Sequence, residues 1–250
     1  MLNSTDVGNI LFFDIETVSG KKEFSELDET MQDLWRHKCK QILRKPAEEI
    51  TEEEVAETYT EKAGIYAEFG KIVCISVGFV RRDKESKKLV ARLTSFADED
   101  ETKILKDFTQ LLSQHYSLLH KHALCGHNIR EFDVPYVCRR LVINQMPLPK
   151  PLDIAGKKPW ETKHLIDTLE FWKFGDYKNY TSLKLLAAIL GFPSPKDDID
   201  GSMVGKTYWN EKGGLKRIAT YCEKDVLATI QLYFKYRIMP ILEEEQVLHV

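Results

Sequence analysis

The stretch Asn9-Ile10-Leu11-Phe12-Phe13-Asp14-Ile15-Glu16-Thr17 decides how the rest of the chain is read. Four apolar residues bounded by polar ones read as a buried strand. In an extended chain residues i and i+2 share a face, so Asp14 and Glu16 project together while Ile15 turns to the core. Two adjacent carboxylates repel, and a divalent cation between them relieves that repulsion. Taken alone, the pair reads equally well as a solvated strand end that happens to be acidic.

Outward from this strand, residues 21–68 form a charged insertion with Met31, Leu34, Trp35 and Ile42 at near-helical spacing. Thr51-x-x-Glu54 resembles a capping box and predicts a second helix there. Residues 72–80 are β-rich and end in the turn Arg81-Arg82-Asp83, with residues 89–96 as the hairpin partner. Helices are predicted over 100–116, 134–143, 182–190 and 215–236, the second with Pro135 in its first turn and the third closed by Gly191 and Pro193. Short strands are predicted at 123–125 and 164–169. This order predicts an α/β fold, a central mixed sheet with helices on both faces. One domain over residues 1–250 is expected, with a helical insertion at 21–70 after the first strand.

The chain has 250 residues, enough to bury a full core, and 43% are hydrophobic and 30% charged. A net charge of −3 means that a nucleic-acid enzyme of this composition must gather its bases locally or use bound cations. Five cysteines, an odd number without a C-x-x-C pair, argue against a disulfide framework and for a reducing compartment. No apolar run approaches the ~20 residues a membrane span requires. A cytoplasmic location away from membranes is expected.

Two further constellations carry carboxylates. In His127-Asn128-Ile129-Arg130-Glu131-Phe132-Asp133 a strand leads in and a helix leads out, so Asp133 also reads as an ordinary N-cap. In Tyr221-Cys222-Glu223-Lys224-Asp225 the i, i+4 spacing points Tyr221 and Asp225 the same way, beside Ile218 on the inward side. Two other patterns are set aside. His120, His122, Cys125 and His127 offer zinc-type ligands, but an extended chain turns 120 and 122 away from 125 and 127. The acidic run 196–201 has Lys196 and Thr207 where an EF-hand needs acids, so a flexible loop, a lid near the substrate, is the better reading.

Taken together, the three acidic motifs resemble those of the ribonuclease-H-like 3′→5′ exonucleases: D-x-E as Asp14-Ile15-Glu16-Thr17, N-x-x-x-F-D as Asn128 to Asp133, and Y-x-x-x-D as Tyr221 to Asp225. This is the DEDD family. Thr220 stands where one branch has histidine, and Tyr221 where the other has tyrosine, so the chain resembles the tyrosine branch. The subgroup it resembles is that of predicted exonucleases similar to the proofreading domain of family B DNA polymerases. The likeness includes Thr181-Ser182-Leu183 and the stretch from Ser194 to Ser202.

The resemblance implies a ribonuclease-H-like fold and release of 5′-mononucleotides from a 3′ end, most naturally of single-stranded DNA. It implies two divalent cations, Mg²⁺ or Mn²⁺, with Asp14 shared, Glu16 and Asp225 completing one site and Asp133 holding the other. Tyr221 would place the attacking water, since an ordinary tyrosine is a poor base near neutral pH. Thr17, His127, Asn128 and Lys184 are the expected substrate contacts. An exoribonuclease and a non-catalytic nucleic-acid-binding module are the alternatives; the second would show a lost metal ligand, and all four are present. Residues 157–184 mix lysines with aromatics, among them Trp160, Phe171, Trp172, Lys173, Phe174, Tyr177, Lys178 and Tyr180, a combination that suits a single strand. Phe171 and Phe174 are read as core residues, and so is Phe132.

Overall fold

Ile10–Ser19 forms strand β1, and its alternation sets the two faces of the sheet. Leu11, Phe13 and Ile15 join one buried cluster; Ile10 and Phe12 join the other. Each fully buried residue of this kind contributes about 1.5–3 kcal/mol. The computed structural model describes residues 5–176, 180–193 and 198–250.

After β1 come the insertion helices α1 (Glu29–Leu43) and α2 (Glu52–Lys62), then the hairpin strands β2 (Gly70–Arg82) and β3 (Leu89–Ala97). Next are α3 (Glu101–His115), β4 (Ala123–Gly126), α4 (Asp133–Ile143), β5 (Leu165–Asp167) and α5 (Thr168–Lys173). The chain closes with α6 (Leu183–Leu190), α7 (Val204–Asn210), α8 (Gly214–Tyr236) and β6 (Val247–His249). Among the described residues the sheet runs β5-β4-β1-β2-β3-β6. β1–β2 and β2–β3 are antiparallel; β1–β4, β4–β5 and β3–β6 are parallel.

Helices α3 and α4 cover the face of Leu11, Phe13 and Ile15. Helix α8 covers the other, through Val226, Ile230, Tyr233 and Phe234, and α6 packs on α8 in turn. This mixed α/β sheet with helices on both faces is the expected ribonuclease-H-like arrangement. The insertion has its own small core, in which Trp35, Val55 and Tyr59 are buried and Trp35 Nε1 donates to the Val55 carbonyl at 3.1 Å. The capping box is present: Glu54 N–H donates to Thr51 Oγ1 at 3.1 Å, and Thr51 N–H to Glu54 Oε2 at 3.0 Å.

Three elements differ from the sequence reading. The strand expected over 164–169 stops at Asp167, because its carboxylate caps α5 through the Leu169 N–H at 2.9 Å. Residues 204–210, to which the sequence reading assigns no element, form α7. The short strand β6 has no sequence counterpart in the reading. Of the acidic loop, Asp198 pairs with Arg217 and Ile199 is buried; Ser194, Pro195, Lys196 and Asp197 lie outside the described residues.

Candidate active site

The alternation that sends Ile10 and Phe12 to the α8 face carries Asp14 and Glu16 to the same face. A β-bulge follows at once: Glu16 pairs with Cys74 and Thr17 with Ile72, leaving Val73 as the extra residue on β2. A bulge re-aims the side chains beside it. Val73 and Cys74 both join the cluster of α8 residues Ile218, Tyr221 and Cys222. Helix α8 thereby lies over the acidic end of β1.

Asp133 arrives from another direction. β4 pairs with β1 only as far as Phe12. Beyond Gly126 the chain turns away so tightly that a side chain there would collide with Ile129. The Ile15 amide, past the end of β4, donates to Asp133 Oδ1 at 3.1 Å. Asp133 is therefore not the N-cap of α4; Phe132 holds that position without a side-chain bond. The carboxylate is buried beside the backbone that joins Asp14 to Glu16.

The third arm is α8. Cys222 Sγ donates to the Asp14 carbonyl at 3.4 Å and lies 3.5 Å from its Oδ2. The Tyr221 hydroxyl donates to Asp225. Burial, then the charges of Asp133, Asp225 and Glu16, push the Asp14 pKa well above the usual carboxylate range. Burial, with Asp167 and Asp225, raises Asp133 to about 7 against the lowering effect of the Ile15 amide. Burial first, then Asp225 and Glu16, push the Tyr221 hydroxyl far above its ordinary value.

Ligand atoms of Asp14, Glu16 and Cys222 lie within 4.8 Å of one another, the one such group among the described residues. Burial and its contact with Cys74 push the Cys222 thiol well up, so it stays protonated and serves as a donor to Asp14. The donors left for a cation are carboxylate oxygens, hard ligands that suit Mg²⁺ or Mn²⁺. The histidines and cysteine of 120–127 build no such cluster. Cys125 lies in the core, and both His127 nitrogens are engaged elsewhere.

The other expected substrate residues divide. Thr17 lines the cleft beside Glu16 and Phe132, with its hydroxyl bonded to Tyr136. His127 Nε2 lies 3.1 Å from the Thr181 carbonyl, which has no proton to give, so Nε2 carries the hydrogen. Nδ1 lies 3.0 Å from Thr168 Oγ1, the hydroxyl that donates to the Gly126 carbonyl at 3.1 Å, and burial lowers the pKa of the ring. His127 thus fastens β4 to α5 and to the segment before α6. Asn128 adopts a left-handed conformation (φ 69°) that asparagine tolerates, and its Oδ1 accepts from the Tyr180 hydroxyl at 3.0 Å. Lys184 is exposed on the first turn of α6, and no hydrogen bond or ion pair among the described residues ties it to the carboxylates.

Phe171 and Trp172 pack around Tyr236, as core residues do. Phe174 does not: it is 76% exposed, because a left-handed turn (φ 45°) ends α5 there. Phe132 is partly buried against the core yet also faces the cleft. Tyr180 and Trp160 are exposed, each with a lysine over its ring, Lys173 and Lys158 respectively. Tyr177 and Lys178 lie outside the described residues.

Two residues escaped the sequence reading. Cys222 sits one helical turn after Ile218, a spacing that already pointed it at the sheet. Asp167 accepts four backbone amides, from Asn128 (2.9 Å), Arg130 (3.0 Å), Leu169 (2.9 Å) and Glu170 (3.4 Å), and so fixes the loop that leads to Asp133. Its signal was legible as Asp167-x-x-Glu170, an acid three residues before a glutamate.

The family B DNA polymerase from the hyperthermophilic archaeon Pyrobaculum calidifontis has a similar structure, with a TM-score of 0.53 at 15% identity. The likeness covers 92% of this chain and 24% of the polymerase, so the chain spans about a quarter of that protein's length. No curated protein sequence matches the chain. A family model described as a predicted 3′-5′ exonuclease related to the exonuclease domain of PolB matches residues 65–247, a span that takes in Asp133, Tyr221 and Asp225 and begins after Asp14 and Glu16. The chain belongs to this family of predicted 3′-5′ exonucleases related to the exonuclease domain of PolB.

Proposed function

We propose that residues 1–250 act as one metal-dependent 3′→5′ exonuclease domain that releases 5′-mononucleotides from the 3′ end of DNA, with preference for a single strand. The observation that carries this reading is the meeting of Asp14, Glu16, Asp133 and Asp225, drawn from three separate segments. The charges that bear on Asp14 are all negative. Such a cluster calls for cations, and the oxygen donors suit two ions of Mg²⁺ or Mn²⁺ held by these four acids. Bound there, divalent ions supply charge neutralisation at the phosphate and activation of water.

The protein's own groups have separable tasks. The Ile15 amide fixes the orientation of Asp133. Cys222 holds Asp14 from behind. Burial and the neighbouring acids hold the proton on Tyr221, which favours orientation of water over proton abstraction as its task. Its hydrogen is committed to Asp225, which leaves the phenolic oxygen free to accept from a water and orient it.

End-labelled oligonucleotides test the polarity. A free 3′ end should give a stepwise ladder and 5′-mononucleotides. A 3′-phosphate, an inverted 3′ nucleotide or a closed circular single strand should resist. Equal cleavage of the circle would make the protein an endonuclease, and faster digestion of RNA than of DNA would make it an exoribonuclease.

A further inference from the structure

The insertion between β1 and β2 does more than fill space. Its last turn, Ala63–Ile65, is fastened to the end of β1. A side chain at Gly64 would stand 3.0 Å from the Val18 carbonyl carbon, so only glycine lets the two backbones meet this closely. The Tyr136 hydroxyl donates to the Gly64 carbonyl at 2.8 Å and pins the turn from the α4 side. Across from it, Trp209 of α7 donates to Ser19 Oγ at 3.0 Å, and Lys71 reaches the Tyr208 hydroxyl at 2.9 Å. Insertion and α7 therefore stand as two fixed walls on either side of β1.

Between them lies a cleft of ≈ 440 Å³ whose floor is residues 15–19, Glu16 included. That is within the range of roughly 300–1,000 Å³ that small-molecule sites occupy. Two apolar side chains face it, Ile65, which is 52% exposed, and Phe132. Two ammonium groups stand on its rim, Lys62 on the insertion and Lys206 on α7. Neither makes an ion pair among the described residues, whereas Lys45, Lys103 and Lys173 are all paired to acids. Past Thr60 and Lys206 the cleft meets a second groove between Phe24 and Trp209.

We propose that the insertion builds the binding cleft for the end of a single strand: Ile65 and Phe132 hold the terminal base between apolar faces, and Lys62 and Lys206 take the backbone phosphates. This rests on the nuclease reading and deepens it, assigning the strand's path to an element that carries none of the acids. An unpaired base is needed for an apolar clamp of this kind, so the cleft also accounts for a preference for single strands.

The test compares Ile65→Ala, the double variant Lys62→Ala/Lys206→Ala, and its Lys→Arg counterpart in digestion of a 5′-labelled deoxythymidine oligonucleotide, over a series of salt concentrations. Wild-type hydrolysis of bis(p-nitrophenyl) phosphate, a diester with no nucleoside, is measured alongside. Ile65→Ala should raise KM about tenfold, as for a loss of one such contact, with a smaller effect on kcat and no change in salt slope. The double alanine variant should raise KM and flatten the salt dependence of binding by about 0.7 per lysine, and arginine should restore the slope. Unchanged KM and slope in every variant of an active enzyme would overturn the cleft assignment and leave the nuclease reading standing. Wild-type protein inert on both the oligonucleotide and the diester would overturn the nuclease reading itself, and the cleft with it.

Discussion

Two aspartates of the same sheet, Asp14 on β1, partly buried, and Asp167 on β5, fully buried, are supplied in opposite ways. Asp167 is 1% exposed and receives four backbone N–H groups. Its charge is satisfied by the chain itself. Asp14 receives one thiol and faces three carboxylates. An acid furnished with amides holds a loop in place, while an acid crowded by other acids is a candidate cation ligand. Residue type and spacing do not separate the two cases; the surrounding donors do.

The strongest attempt to break this contrast is to neutralise each side. Asp14→Asn or Asp225→Asn should lower turnover by at least about 10³-fold, the scale of a lost transition-state electrostatic contact of roughly 4 kcal/mol. Single-turnover rates on a labelled oligonucleotide measure it, and wild-type rates in both variants would mean that the cluster is not catalytic. Tyr221→Phe removes one hydroxyl and leaves every carboxylate, so its cost should be smaller, about 10–10³-fold. A loss equal to that of Asp14→Asn, with metal binding intact, would give the tyrosine more than an orienting role.

On the other side, Asp167→Asn should act on the fold. An asparagine offers one acceptor oxygen, and its NH₂ meets amide donors where a second oxygen stood. A stability loss of about 1–3 kcal/mol is expected in urea titrations. Turnover should fall only as far as the loop carrying Asp133 is disturbed, and an inactive but fully stable Asp167→Asn protein would reverse the two roles.

A pH series sharpens the comparison with the smallest effect. The folded-state pKa of Asp133 is raised from 3.8 to about 7, so the stability this group contributes is fully present below about pH 4. As pH rises through the window up to about 7, the unfolded chain releases a proton that the folded chain retains, and that contribution is lost. In EDTA, Asp133→Asn should therefore gain on the wild type as pH rises from 4 to 7, by at most about 1.4 kcal/mol per pH unit. A constant difference over that range would contradict the crowding of charges around Asp133.

Much of this was legible in the sequence because it rests on local rules. The apolar run 10–13 fixed β1 and the alternation that aims Asp14 and Glu16. The Thr51–Glu54 pair marked α2, and the i, i+4 spacing joined Tyr221 to Asp225. What escaped depends on contacts distant in sequence. The three-residue strand β6 exists because β3 offers it an edge. α7 exists because Val204 and Thr207 are buried against the sheet and α8. Asp133 reads as a cap until the Ile15 amide, 118 residues away, is seen to claim it. The bonds of His127 to Thr168 and Thr181, and of Asn128 Oδ1 to Tyr180, likewise join residues far apart in the chain.

The central claim, that these acids are a cation-dependent nuclease site, is tested most directly by one time course. Purified protein is incubated with a 5′-labelled single-stranded DNA in Mg²⁺, in EDTA, and in EDTA followed by excess Mn²⁺. The account predicts a ladder shortening from the 3′ end in Mg²⁺, an intact strand in EDTA, and recovery of the ladder on adding Mn²⁺. Undiminished shortening in EDTA, or an intact strand under all three conditions, would contradict it.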